Sequence, residues 1–128
     1  MYTRTGEESV RHARRLNLIA DVAEENELQI DLDTPEQEEQ YRRMRPHVED
    51  IYDIEDVIET PSKSGKTHVR IFTAYPLSVE ERVALQAILG SDPKKELCSL
   101  QRWLAGDEIP ILLFEKPEVH EEIQKRRK

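Results

Sequence analysis

The chain has 128 residues, of which 36% are charged, and a formal net charge of −8 at pH 7. That length fits one domain with its own hydrophobic core, and the single cysteine, Cys98, excludes an intrachain disulfide or a zinc ribbon. The acidic balance argues against a general nucleic-acid coat, and the lack of an apolar leader or a membrane-length run predicts a soluble cytoplasmic protein with no membrane partner.

Thr5 and Glu8 are spaced as a capping box, and Val10, Ala13, Leu16, Ala20 and Ala23 follow a helical period. A first helix is expected over about 7–25, with RHARR as its solvated face. A strand is expected over about 28–33. TPEQ then opens a second helix: Thr34 as N-cap, Pro35 at the first position and Gln37 closing a capping box. Tyr41, Met44 and Val48 mark its buried stripe, and Pro46 should kink or end it.

IYDIEDVIET (51–60) reads as an acidic edge strand, TPSKSG (60–65) as a loop and KTHVRIFT (66–73) as another strand. Ser78, Glu81 and Gly90 bound a helix, and Asp92, Pro93 and Gly106 bound another. IPILLFEKP is a short apolar strand ending at Glu115, followed by a polar helix from Pro117 and the tail KRRK. The predicted division is one domain, 1–128, with an N-terminal helical extension (1–26), a core (27–116) and a charged C-terminal helix and tail (117–128).

After the first helix, the predicted order is strand, helix, strand, strand, helix or helices, strand. This is the split βαβ pattern, so an α+β fold is expected: a ferredoxin-like or RRM-like βαββαβ antiparallel sheet with helices on one face. In that topology the first and third strands are central neighbours and the fourth flanks the first. Alternation along the strands assigns Leu28, Ile30, Leu32, Val69, Ile71, Leu112 and Phe114 to the helix-covered face. Asp31, Asp33, Lys66, His68, Arg70 and Glu115 then share the opposite, open face.

Carboxylates gathered on one face repel, by roughly 3 kcal/mol for two unit charges about 5 Å apart at an effective dielectric of 20. A divalent cation relieves that repulsion, and an all-oxygen ligand set suits Mg2+ or Mn2+. Two such ions form the clamp used in phosphoryl and nucleotidyl transfer. Asp31, Asp33 and Glu115 are the candidate metal ligands and catalytic acids; His68, Lys66 and Arg70 would hold phosphates. The bland alternative is that Lys66 and Arg70 merely neutralise Asp31 and Asp33 across strands.

SGKT (64–67) ends like a P-loop, yet Thr60 stands where the pattern needs glycine, and a strand rather than a helix follows. It is not a Walker A motif, though its small residues suit backbone approach to a triphosphate. His12, His47 and His120 are expected to be solvated and Trp103 to be core.

IDLD on a strand, SGKTH entering a strand and LLFE at the end of a late strand resemble, in that order, three motifs of the archaeo-eukaryotic primase superfamily, in particular its primase-polymerase branch. The resemblance covers about residues 28–115 and implies a minimal catalytic core with an RRM-like sheet. It assigns Asp31, Asp33 and Glu115 to metal binding, His68 to the phosphates of the incoming nucleotide and Ser64 to the preceding turn. It implies a divalent-metal-dependent nucleotidyltransferase of DNA replication or repair, with nucleoside triphosphates as substrate, a single-stranded DNA template and a replication-protein partner. Glu115 stands where aspartate is common, the Ser64–His68 turn is longer than usual, and only one helix precedes the first motif. Two other readings share the pattern: a noncatalytic RRM-like module binding nucleotide or protein, and a metal-dependent nuclease. An RRM-type RNA binder would need sheet aromatics for stacking, and only Phe72 is placed for that.

Overall fold

The computed structural model describes residues 3–62 and 64–127. Lys63, in the expected 60–65 loop, lies outside them. The fold is α+β, with five helices and two antiparallel sheets among the described residues: α1 (Gly6–Arg15), β1 (Ile19–Val22), β2 (Glu27–Leu32), α2 (Pro35–Ile51), β3 (Ile54–Pro61), β4 (Thr67–Thr73), α3 (Val79–Ile88), α4 (Pro93–Leu104), β5 (Leu112–Glu115) and α5 (Pro117–Arg127). No helix among them is long and apolar enough to cross a membrane.

The N-cap residues act as expected, but of the boxes only that of Thr5 and Glu8 closes. Thr5 and Glu8 close their box, Thr34 accepts from the Gln37 N–H, Ser78 accepts from Glu81, and Asp92 from Lys94. Two boundaries differ from the sequence expectation. The first helix stops at Arg15 rather than near 25, because Asn17 takes a left-handed φ of 59° and breaks the helical run. The residues after it form β1 instead. The second helix continues through Pro46 to Ile51, so β3 begins at Ile54. Pro46 lies on an exposed side, where water can take up the Arg42 carbonyl it frees.

The larger sheet has the order β2-β4-β3, with Asp31 paired to His68 and Gln29 to Arg70. One face buries Leu28, Ile30, Leu32, Val69 and Ile71 against Tyr41 and Val48 of α2 and Leu85 and Leu89 around α3. Each such aliphatic side chain contributes about 1.5–3 kcal/mol when fully buried. This core fixes the strand register, since a slip of one residue would turn these side chains to the polar side.

The fourth predicted strand does not flank the first. β5 pairs with β1, in the register Ile19 to Glu115 and Asp21 to Leu113. The outer edge of β2 is instead capped by the corner of α3 and α4. Gln29 N–H donates to Gln86 Oε1 at 2.9 Å, Asp31 N–H donates to Ser91 Oγ at 3.0 Å, and Lys95 Nζ donates to the Gln29 carbonyl at 2.9 Å. The Asp92 N–H donates to the Asp31 carbonyl at 2.8 Å. With that edge satisfied, no ladder position remains for β5.

The polar face of the sheet is therefore covered rather than open. Ion pairs from Arg70 to Asp21 and Glu115 tie it to the β1–β5 ribbon, and α5 packs Ile123 and Val119 over Ile58 and Phe72. Leu112 and Phe114, assigned to the helix-covered face, belong to this ribbon and not to the main core. Phe72 is 2% exposed, with the Arg127 guanidinium 3.6 Å from its ring centroid, so it offers no base-stacking platform. Trp103, expected in the core, is 38% exposed.

Candidate functional site

Three chain segments bring carboxylates together. Asp31 projects from β2, whose alternation sends it to the side opposite the leucine core. Asp33 follows at the strand end, and its backbone N–H is held by Gln37 Oε1 at 3.0 Å. Gln37 thus reaches back to Asp33 rather than to the Thr34 N–H that a capping box would use. Its Nε2 also donates to the Gly90 carbonyl at 3.1 Å, which ties α2 to the α3–α4 corner. Asp92 caps α4 at that corner.

Ligand oxygens of Asp31, Asp33 and Asp92 all lie within 4.8 Å of one another. Asp33 Oδ1 is shielded from solvent with no hydrogen-bond partner, and Asp31 Oδ1, equally shielded, has only the His68 Nε2 at 3.5 Å. Burial, then the charge of Asp31, holds the Asp33 carboxyl above its usual range. For Asp31, burial pushes upward, but His68 outweighs it and the net shift is downward. Proton affinity therefore concentrates on Asp33, as expected when two acids crowd one space. An all-oxygen set with unsatisfied lone pairs fits a hard divalent cation such as Mg2+ or Mn2+.

His68 stands beside this cluster. Its Nδ1 is 3.1 Å from Glu115 Oε2, and its Nε2 is 3.5 Å from Asp31 Oδ1. Burial opposes its charge, but the two carboxylates prevail and raise its pKa to about 9. At neutral pH it is an imidazolium, with both N–H groups directed at carboxylates.

Arg70 is fully buried, and its roles differ from those expected of a phosphate ligand. It donates to Asp21 Oδ2 at 2.8 Å and 3.1 Å and to Glu115 Oε2 at 2.8 Å, with Glu27 Oε2 at 3.4 Å. Glu115, 6% exposed, is thereby held between Arg70 and His68. Burial would raise its pKa, but His68 and Arg70 bring it down. Glu27 goes the other way: burial pushes it up to about 6.

The sequence candidates thus divide into groups. Asp31 and Asp33 converge, His68 joins Asp31 to Glu115, and Arg70 joins Glu115 to β1. Glu115 is not part of the carboxylate group that could hold a metal; Asp92 takes that place. Lys66 is exposed, and its charge acts on Asp33. Ser64 is exposed in the β3–β4 turn, its Oγ 2.9 Å from Ser62 Oγ.

Two residues escaped sequence reasoning. Asp92 was visible only as a helix cap, and Asp21 fell inside a run that reads as helix. The Ser-Asp-Pro spacing gives Asp92 its cap role, but nothing in it indicates that the cap faces Asp31. Asp31 and His68 also line a cavity of about 280 Å³ with Lys95, Cys98 and Arg102 on its wall.

His12, expected to be solvated, is half-buried with its ring centroid 6.1 Å from that of Phe114. His120 Nδ1 lies 3.8 Å from Asp21 Oδ1, and His47 is exposed as expected. Compared with known proteins, the chain matches no family model, no curated protein and no solved structure.

Proposed function

We propose that this chain is a small divalent-cation-dependent nucleotidyltransferase core of the primase-polymerase kind, acting on nucleoside triphosphates over a single-stranded DNA template. The observation that carries the reading is the convergence of Asp31, Asp33 and Asp92 within 4.8 Å, with a shielded oxygen on Asp33 that lacks a hydrogen-bond partner. These three aspartates would hold Mg2+ or Mn2+. When bound, the cation supplies Lewis-acid stabilisation of phosphoryl oxygens.

The chain's own residues set the rest. His68 fixes the position of Asp31 and offsets its charge. The exposed Lys66 is available to phosphates beside Asp33, and Ser64 lies in the same turn. Lys95 and Arg102 lie on the wall of the adjoining cavity, Lys95 paired with Glu96 and Arg102 held by the Pro110 carbonyl. Glu115 acts here through His68, not as a metal ligand.

The test is thermal unfolding with and without Mn2+, followed by calorimetry with a nonhydrolysable nucleoside triphosphate. Wild type should gain stability by mass action, about 2.7 kcal/mol at a hundred times the dissociation constant. Asp33→Asn should be more stable than wild type without metal, since it removes a repelling charge, and should lose the metal response. An equal metal response in Asp33→Asn would remove the carboxylate site. Metal binding without triphosphate binding at millimolar concentration would remove the nucleotidyltransferase.

One observation favours a second reading, a noncatalytic binding module. The sheet face expected to receive nucleotide is covered, with Arg70 fully buried and committed to three carboxylates. On that reading the Arg70–Glu115–His68 chain serves folding alone, and neither metal nor triphosphate stabilises the protein.

A further inference from the structure

Ile58 and Phe72 stand on the polar side of the larger sheet, in register with Arg70 and Glu27. They are only 6% and 2% exposed, and α5 is packed over them. Yet α5 is held by little. Ile123 is its single buried residue, where every other helix has two to four. A helix of 11 residues is marginal by itself, so α5 persists only while it is seated.

The seat is loosely filled. Ile123 lines a groove of about 500 Å³ along Ile58, Thr60 and Val119, and on its other side a void of about 30 Å³ next to Glu27 and Phe72. The remaining ties are charged and go to three separate places. Arg126 donates to Asp56 Oδ1 at 2.9 Å and to the Val57 carbonyl at 3.3 Å on β3. The Arg127 guanidinium lies on the Phe72 ring and 3.9 Å from Glu24 between β1 and β2, but its Nε is shielded with no hydrogen-bond partner. His120 Nδ1 is 3.8 Å from Asp21 Oδ1 on β1. Pairs this exposed are weak and are screened by salt.

We propose that α5 is a releasable strap. It lifts as one unit about Lys116, the single residue between β5 and Pro117, and uncovers Ile58 and Phe72 while both sheets and the other helices stay folded. The closed form dominates, with the open form on the order of 1% of molecules, and salt shifts the balance toward release. The strap is independent of the proposed metal site.

Hydrogen exchange of the full chain, read by NMR, tests this. The α5 amides from Glu121 to Lys125 should share one protection of roughly a hundredfold, far below that of β2 and β4, which open only with the whole fold. Raising NaCl from 50 to 500 mM should lower the α5 protection about fivefold, at a few tenths of a kcal/mol for each of three pairs, and leave β4 unchanged. Ile123→Asp should abolish protection in α5 alone and open the Phe72 ring to hydroxyl-radical labelling. Arg126→Gln should weaken α5 protection and its salt response without disturbing the sheet. Exchange of α5 only together with β4 would overturn the proposal. So would a gradient rising toward the C-terminus, which is fraying, or a salt-independent α5. An Ile123→Asp protein that loses the sheet with the helix, or that leaves Phe72 unlabelled, would overturn it as well.

Discussion

His68 links the stability of the fold to pH in a window that can be calculated. Its pKa is about 9 in the folded protein, against 6.5 for the free side chain. The folded state therefore binds this proton more tightly than the unfolded state. The resulting stabilisation is complete below pH 6.5 and is lost as pH rises to about 9. At 1.36 kcal/mol per pKa unit, it amounts to about 3 kcal/mol. Because 22% of the side chain reaches solvent, water screening makes this an upper figure. Urea unfolding without divalent metal, at intervals from pH 6 to 9.5, should show wild type losing most of that amount at an unchanged denaturant slope. His68→Gln keeps a polar side chain but not the titration, and its stability should be nearly flat from pH 7 to 9. Glu27, raised to about 6, finishes ionising only near pH 7 and lowers the stability of both proteins as pH rises through the bottom of the range, so the two are compared above pH 7. Tyr41, raised to about 12, ionises above the window. A wild type equally stable at pH 6.5 and 9, or a variant that declines in parallel with it, would refute the paired imidazolium.

Arg70→Met should cost about 3–5 kcal/mol, because it strands Asp21, Glu27 and Glu115 without their buried cation. Part of the loss should return on acidification, as those carboxyls take up protons, and chemical denaturation at pH 5 and pH 7 measures both effects. Gly90→Ala should destabilise by at least about 2 kcal/mol, since its φ is +89° and a Cβ would lie 2.7 Å from the Gln37 carbonyl oxygen. The same variant should reduce the thermal shift with Mn2+, because the strained turn carries Asp92; an unchanged shift would separate Asp92 from the metal site.

The legible parts of this chain are those governed by local rules. Leu28, Ile30 and Leu32 alternate with Gln29, Asp31 and Asp33, and that period alone assigned the core face and the polar face of β2. Thr5, Thr34, Ser78 and Asp92 are visible as caps because capping needs only a side-chain oxygen and an N–H two or three residues on. What stayed hidden depends on distant competition. Ile19–Val22 reads as helix because Ala20 and Ala23 keep a helical period; only the left-handed Asn17 and the pairing with Leu112–Glu115 turn it into β1. The edge of β2 looks free in the sequence, because Gln86, Ser91 and Lys95 carry no sign that they will cap it. Once they do, β5 is displaced, the polar face is closed, and Glu115 meets Arg70 and His68 instead of Asp33. One strand placement thus accounts for the wrong neighbour of β2, the covered sheet face and the position of Glu115.

The same placement explains where negative charge is left over. Among six carboxylates, Asp21, Glu27, Asp31, Asp33, Asp92 and Glu115, the buried Arg70 and half-buried His68 make most of the ion pairs. Lys95, which acts on Asp31 by charge, is paired with Glu96, and His120 approaches Asp21 alone. Arg70 takes Asp21, Glu27 and Glu115, and His68 takes Glu115 and Asp31. Asp33 and Asp92 have no ion pair among the described residues. The bland expectation, in which cross-strand cations neutralise Asp31 and Asp33, therefore holds for Asp31 alone, and through His68 rather than Lys66 or Arg70. The remaining charge gathers where three oxygens converge beside solvent. Arg70 cannot move there without exposing Asp21 and Glu27, and His68 already spans two acids. On the proposed function a divalent cation would enter there without dismantling the fold, whereas without one a proton on Asp33 relieves the same repulsion. This is why the metal response of Asp33→Asn tests the function more directly than any change at Arg70 or Glu115.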